Sequence, residues 1–251
     1  MKRLLRKAHT YLYLGSVLLY FIIFFPVLFL FSRNPTRYYK QIATCRKWIC
    51  VLSCYTVGIR FKVSYEEDID WNKNYIICPN HTSILDITAI IYLCPPNFSF
   101  MGKIELLDNP VTRIFFKTID IAVDRKSKIA SFRAFKKAEE LVKNNKTVVI
   151  FPEGKIDDEY PPRLHEFKAG SFKLAIDNQV DIIPIIIQDA WKTLWDDGMK
   201  FGSKPGIIHI KVLKPINTSL LSWEEQQELQ GLVFERMNKH WLAYNSHNNV
   251  T

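Results

Sequence analysis

The first 62 residues of this 251-residue chain contain no aspartate and no glutamate, although they carry eleven of its 34 lysines and arginines (Lys2, Arg3, Arg6, Lys7, Arg33, Arg37, Lys40, Arg46, Lys47, Arg60 and Lys62). The other 23 basic residues face 25 acidic ones, so the formal charge of +9 belongs to one segment. A nucleic-acid-binding fold spreads Lys and Arg over a folded face, and this distribution argues against one. A basic N-terminus suits anionic lipid headgroups instead. Cysteine is sparse and unpaired: Cys45, Cys50, Cys54, Cys78 and Cys94 are odd in number and form no CxxC pair. That pattern excludes a zinc-finger spacing and a disulfide framework, and it points to free thiols in a reducing compartment.

Charge of either sign is missing from residues 11–32. As a helix this run is about 33 Å long, enough to cross a hydrocarbon core. No small-x-small cleavage site follows it, which counts against a secretory signal. A buried hairpin of a soluble protein is the bland alternative. The eight aromatics of the run and Pro26 inside it leave open a segment that enters one leaflet and returns. After the turn at 32–35, residues 36–55 alternate Arg and Lys with Tyr39, Ile42, Trp48, Ile49, Leu52 and Tyr55, a mixture suited to the headgroup level. Residues 1–56 are therefore expected to be a two-helix membrane anchor, 57–243 a catalytic domain, and 244–251 a disordered tail.

With 48% hydrophobic residues the rest of the chain is long enough for one large α/β domain. Residues 57–65 alternate apolar and polar side chains, as in a strand with one buried face. Further strands are expected at 75–79, 98–101, 119–123, 147–151, 182–187 and 207–213, with Pro184 placing the sixth at a sheet edge or a bulge. Helices are expected at 84–93, stopped by Pro95-Pro96; at 109–117, opened by Asn109-Pro110; and at 128–144. Ser222-Trp223-Glu224-Glu225 reads as a capping box before a last helix. Strands alternating with helices give a mixed, largely parallel sheet flanked by helices, with functional groups at the strand ends.

Asn80-His81-Thr82-Ser83-Ile84-Leu85-Asp86 lies at the first strand-to-helix turn. Thr82 or Ser83 suits the N-cap, which puts Asp86 in the first helical turn and within reach of the His81 imidazole. A carboxylate on one ring nitrogen fixes the tautomer and makes the other a general base for an alcohol or water. The same residues would also serve as plain turn and cap residues. Arg125 ends the strand at 119–123, and its guanidinium suits a bidentate grip on phosphate. Phe151-Pro152-Glu153-Gly154 ends another strand. There Gly154 lets backbone approach a ligand, and Glu153 could hold a hydroxyl or order neighbouring donors. Cys78 and Ser83 are the candidates for a covalent nucleophile. Cys78 is disfavoured because an apolar strand raises a thiol pKa.

Taken in order, the His81 to Asp86 block, Asp120-Ile121-Ala122-Val123-Asp124-Arg125, Phe151-Pro152-Glu153-Gly154 and Ile182-Ile183-Pro184-Ile185 resemble the four blocks of the glycerolipid acyltransferase family, the lysophosphatidic acid acyltransferases that include bacterial PlsC. The resemblance spans residues 55–215. It implies transfer of an acyl group from acyl-CoA or acyl-carrier protein to lysophosphatidic acid, with no cofactor and no metal, at the cytoplasmic face of the inner (cell) membrane. It assigns His81 and Asp86 to catalysis, Lys103, Arg125 and Lys168 to the substrate phosphate, and Asn80, Glu153 and Gly154 to substrate contacts. Lys168 lies in Phe167-Lys168-Ala169-Gly170, which matches a common Phe-Lys-x-Gly. The chain departs from the family after Gly154, where Lys155-Ile156 stands in place of Thr or Ser followed by Arg. Lys155, Arg163 and Lys168 are the available replacements. The departure motivates a second acceptor class, another lysophospholipid or a lyso-aminolipid. A phospholipid hydrolase and a non-enzymatic membrane-binding protein are the readings from other classes.

Overall fold

The computed structural model describes residues 1–156 and 159–247. Seven strands form one sheet: β1 Ile59–Tyr65, β2 Ile76–Pro79, β3 Phe98–Lys103, β4 Ile121–Val123, β5 Thr147–Val149, β6 Ile182–Ile187 and β7 Gly206–Val212, in the order β1-β7-β6-β2-β5-β3-β4. Strands β2 to β6 run parallel, whereas β7 lies antiparallel to β6 and parallel to β1. The turns after β2, β4 and β5 therefore all leave from one edge of the sheet, which gathers His81, Arg125 and Glu153 although 72 residues separate His81 from Glu153.

Helices cover both faces. Helices α5 (Lys128–Lys143), α6 (Gly170–Asn178) and α8 (Gln226–His247) pack on one side around Cys78, Ile150, Ile182 and Ile186. Helices α1 (Lys2–Ser32), α2 (Tyr39–Thr56) and α3 (Leu85–Leu93) contribute to the apolar layers opposite, around Ile77, Val149, Ile183 and Ile185. Cover on both faces explains why all six residues of β6 are buried and why its sequence is a continuous apolar run. Helix α4 (Pro110–Thr118) starts where Asn109-Pro110 placed it, the Asn109 carboxamide accepting from the Val111 and Thr112 N–H groups. Helix α7 (Ala190–Thr193) is a single turn after β6.

Of the two placements expected for Pro184, the bulge is the one observed: Pro184 sits inside the sheet, with β6 between β2 and β7, and not at an edge. Its carbonyl still accepts from Leu213 N–H at 3.0 Å, and its missing N–H falls where the β7 ladder has stopped, before pairing resumes at Ile182 and Ile216 one residue out of register, the offset a bulge produces. The second helix is docked on the catalytic domain by one face, while Trp48 on another is exposed. Arg46 of α2 is buried and its guanidinium grips both oxygens of buried Asp120 at 2.6 and 2.7 Å, while Ile42, Ile49 and Cys54 are buried beside it. Finally, α8 continues through Tyr244–His247 in place of a tail beginning at Tyr244, and Tyr244 hydroxyl donates to Asp189 at 2.7 Å. Residues 248–251 lie outside the described residues.

Helix α1 is continuous through Pro26, so the apolar run does not turn back within itself. One stripe of it, Thr10, Tyr13, Ser16, Phe21 and Leu28, is buried against the protein, and the other faces expose Leu12, Leu18, Leu19, Ile22, Ile23 and Leu30. It is long and apolar enough to cross a membrane.

Candidate active site

The turn after β2 is held by nearly every backbone polar group it has. Asp86, fully buried in the first turn of α3, folds back so that one oxygen accepts from Thr82 N–H at 2.6 Å and Ser83 N–H at 2.8 Å and lies 3.1 Å from His81 Nδ1. Burial raises the Asp86 carboxyl above its ordinary range, and the His81 contact and the two amides pull it back. The carboxylate thus orients the imidazole, leaving Nε2 as the ring nitrogen available to a substrate proton. Ser83 does not cap α3 from the N-cap position, which Ile84 occupies; its hydroxyl accepts from Leu85 N–H at 3.0 Å. Spacing foresaw the Asp86 fold-back but not this detail.

Glu153 is buried, and its two oxygens accept from His81 N–H at 2.8 Å and His165 N–H at 2.9 Å. Of the two roles the sequence allowed it, ordering neighbouring donors is the one the geometry supports; a direct substrate contact is not. Asn80 is likewise removed from the substrate contacts. It is buried, its amide donates to Ile187 carbonyl at 3.2 Å, and its oxygen accepts from Ile187 N–H at 2.7 Å, so it ties the turn to β6. The Phe151 ring stacks on His81 with centroids 4.2 Å apart, a contact that no sequence spacing announced.

Phe151 also lines a cavity of about 270 Å³ bounded by Arg125, Gly154, Lys168 and Ser171 together with apolar Met101 and Phe135. Arg125 NH1 donates to the Gly154 carbonyl, and Gly154 has φ +71. A Cβ at Gly154 would come within 2.8 Å of Lys168 Nζ, so glycine lets this lysine cross the turn. Two of the three cations expected at the phosphate therefore converge on one cavity. The third does not: Lys103, at the end of β3, is exposed and lies off the cavity wall. Among the replacements for the missing arginine, Arg163 is ion-paired with Glu159 at 2.6 Å and Lys155 is exposed off the cavity wall, which leaves Lys168.

Neither candidate nucleophile is placed to act. Cys78 is fully buried in β2 and its thiol is pushed up to about 12 by burial. Ser83 is equally buried. The amides of 81 to 83 are engaged by Glu153 and Asp86 and that of Gly154 by the Phe151 carbonyl, so these four groups do not stand ready to stabilise an oxyanion.

The Acyltransferase family profile matches residues 60–188. An uncharacterized acyltransferase of Schizosaccharomyces pombe is 34% identical over 69% of the chain. The human 1-acyl-sn-glycerol-3-phosphate acyltransferase beta is 31% identical over 67%, and the Saccharomyces cerevisiae 1-acyl-sn-glycerol-3-phosphate acyltransferase 29% over 76%. The chain spans 62%, 60% and 64% of the lengths of these three relatives. The crystal structure of the 1-acyl-sn-glycerophosphate acyltransferase PlsC from Thermotoga maritima superposes with a TM-score of 0.79 over 96% of both chains at 20% identity, a shared fold. By the profile match over half its length and by these relatives, the chain belongs to the acyltransferase family.

Proposed function

We propose that the protein transfers a fatty acyl group from an acyl thioester, acyl-CoA or acyl-carrier protein, to the free hydroxyl of lysophosphatidic acid, giving phosphatidic acid for phospholipid synthesis. The observation that carries this reading is a His81–Asp86 pair whose stacking partner, Phe151, is also the wall of a cavity bearing Arg125 and Lys168. Arg125 and Lys168 hold the phosphate and His81 Nε2 removes the proton of the acceptor hydroxyl. The oxygen attacks the thioester carbonyl and the carbon–sulfur bond breaks. The thiolate takes its proton from the His81 imidazolium, whose charge the Asp86 carboxylate stabilises, and no acyl-enzyme forms. The relatives named for lysophosphatidic acid acylation support the acceptor.

The exposed apolar face of α1 and the basic residues around it support a seat at a membrane. The five free cysteines favour the cytoplasmic face of the cell membrane for the catalytic domain.

The test is acyl transfer by purified protein in detergent, both donors offered against lysophosphatidic acid and a panel of other lysolipids. Phosphatidic acid should form, His81→Ala should abolish it, and Arg125→Ala or Lys168→Ala should raise the KM for lysophosphatidic acid roughly tenfold, the scale of one charge-assisted hydrogen bond. Acylation of a different lysolipid would move the acceptor and keep the chemistry. Release of fatty acid without a donor would replace transfer by hydrolysis.

A further inference from the structure

One loop touches both the apolar N-terminal helix and the catalytic turn. Residues 194–203 are closed at their base by pairing of Leu194 with Ser203. On the side facing α1, Ser203 N–H donates to Arg6 carbonyl at 3.0 Å, and its hydroxyl lies 2.7 Å from His9 Nδ1 and 3.1 Å from Thr10 Oγ1. His9 Nε2 is 2.9 Å from Val57 carbonyl, so that nitrogen carries a hydrogen and the ring is held at both ends. Gly202, at φ +74, comes so close to α1 that a Cβ would lie 2.6 Å from Arg6 carbonyl carbon. Gly198, at φ +81, brings the loop within 3.1 Å of Thr10 by the same measure.

On the side facing β2, Asp196 pairs with the catalytic turn itself. Its N–H donates to Thr82 carbonyl at 3.1 Å and its carbonyl accepts from Ile84 N–H at 2.9 Å. Asp196 does this at φ +54, a backbone region that costs a non-glycine residue about 1–2 kcal/mol and persists where the surroundings impose it. Thr82 and Ser83, beside and between these two bonds, are the residues whose amides hold Asp86. Buried Trp195, packed on Tyr160 and Phe201 with ring centroids 5.6 and 5.3 Å away, fills the space under the loop.

We infer that residues 194–203 are a strap through which the docking of α1 sets the placement of His81 and Asp86, with Asp196, Gly202 and Ser203 as positioning residues for the transfer. The activity part of this inference rests on the function proposed above; the mechanical part does not. The consequence is that catalysis depends on how the first turns of α1 are seated, and a lipid or detergent environment that shifts α1 changes turnover without touching the cavity.

The experiment uses full-length protein in detergent, with Gly202→Val to force α1 and the strap apart and Ser203→Ala to remove only the hydroxyl. The amides of Thr82 and Ile84 should exchange at least about tenfold faster in Gly202→Val, while those of β2 and β5 do not change. The kcat should fall by roughly tenfold in Gly202→Val and less in Ser203→Ala, with the KM of both substrates within about twofold, because a small misplacement of the base costs rate and not binding. If Gly202→Val does not fold, Ser203→Ala and His9→Ala carry the same two readouts. Unchanged exchange at Thr82 and Ile84 in a variant whose α1 amides at 10–13 have loosened would overturn the strap. So would faster exchange with wild-type kcat. A wild type that leaves lysophosphatidic acid unacylated refutes the proposed function instead, and the exchange result still judges the strap.

Discussion

Replacing Asp86 by asparagine separates the charge of the orienting group from its shape. The asparagine oxygen can take the position of the oxygen that now accepts from Thr82, Ser83 and His81, so the turn keeps its hydrogen bonds. What is lost is the carboxylate beside an imidazolium formed during transfer. At a contact of 3.1 Å, and taking a charge separation near 4 Å with an effective dielectric of about 20, the lost attraction is about 4 kcal/mol. Every ~1.4 kcal/mol is a factor of ten in rate, so kcat should fall by roughly two to three orders of magnitude if most of that interaction is expressed in the transition state. The assay is steady-state acyl transfer over a pH series, beside chemical denaturation of both proteins. The second oxygen of Asp86 is buried with no hydrogen-bond partner, and an amide group placed there costs about 1–3 kcal/mol. Against this, burial raises the Asp86 carboxyl, so wild type carries a native-state penalty that grows as pH rises through the raised pKa and vanishes below the ordinary carboxylate range. Asp86→Asn has no such penalty, so its stability relative to wild type should improve with rising pH across that window. A kcat within about threefold of wild type would refute the charge argument, and a stability difference independent of pH would refute the burial argument.

Gly154→Ala should lower stability by about 1–2 kcal/mol, from φ +71, and raise the KM for the lysolipid acceptor by displacing Lys168, which thermal melts and initial-rate kinetics would resolve. Cys78→Ala should keep transfer within about threefold of wild type, and thiol reagents at neutral pH should leave Cys78 unlabelled in the folded protein, because its thiol is buried and pushed up to about 12. Asp120→Ala should cost about 3–5 kcal/mol by leaving the buried Arg46 guanidinium unpaired, while the double change Arg46→Met, Asp120→Leu should recover much of the loss in a denaturant titration.

Local sequence carried the strands, the reactive pair and most helices, although α6 and α7 were not among those expected. Periodicity marked all seven strands, since alternation and continuous apolar runs report burial directly. The His81 to Asp86 spacing placed the carboxylate one helical turn from the ring, so that pair was legible before any tertiary contact existed. Long-range contacts decided the rest. The resemblance assigned Asn80 and Glu153 to substrate contacts, but the pairing of β2 with β6 brings Ile187 to Asn80, and its pairing with β5 brings the His81 amide to Glu153, and these partners occupy them. Arg46 read as a headgroup residue because its partner, Asp120, is 74 residues away. The seating of α1 on residues 198–203, the stacking of Phe151 on His81 and the convergence of Arg125 and Lys168 at Gly154 were invisible for the same reason. Side-chain pattern fixes which face of an element is buried, but the groups that meet across that face are chosen by the order and register of the strands.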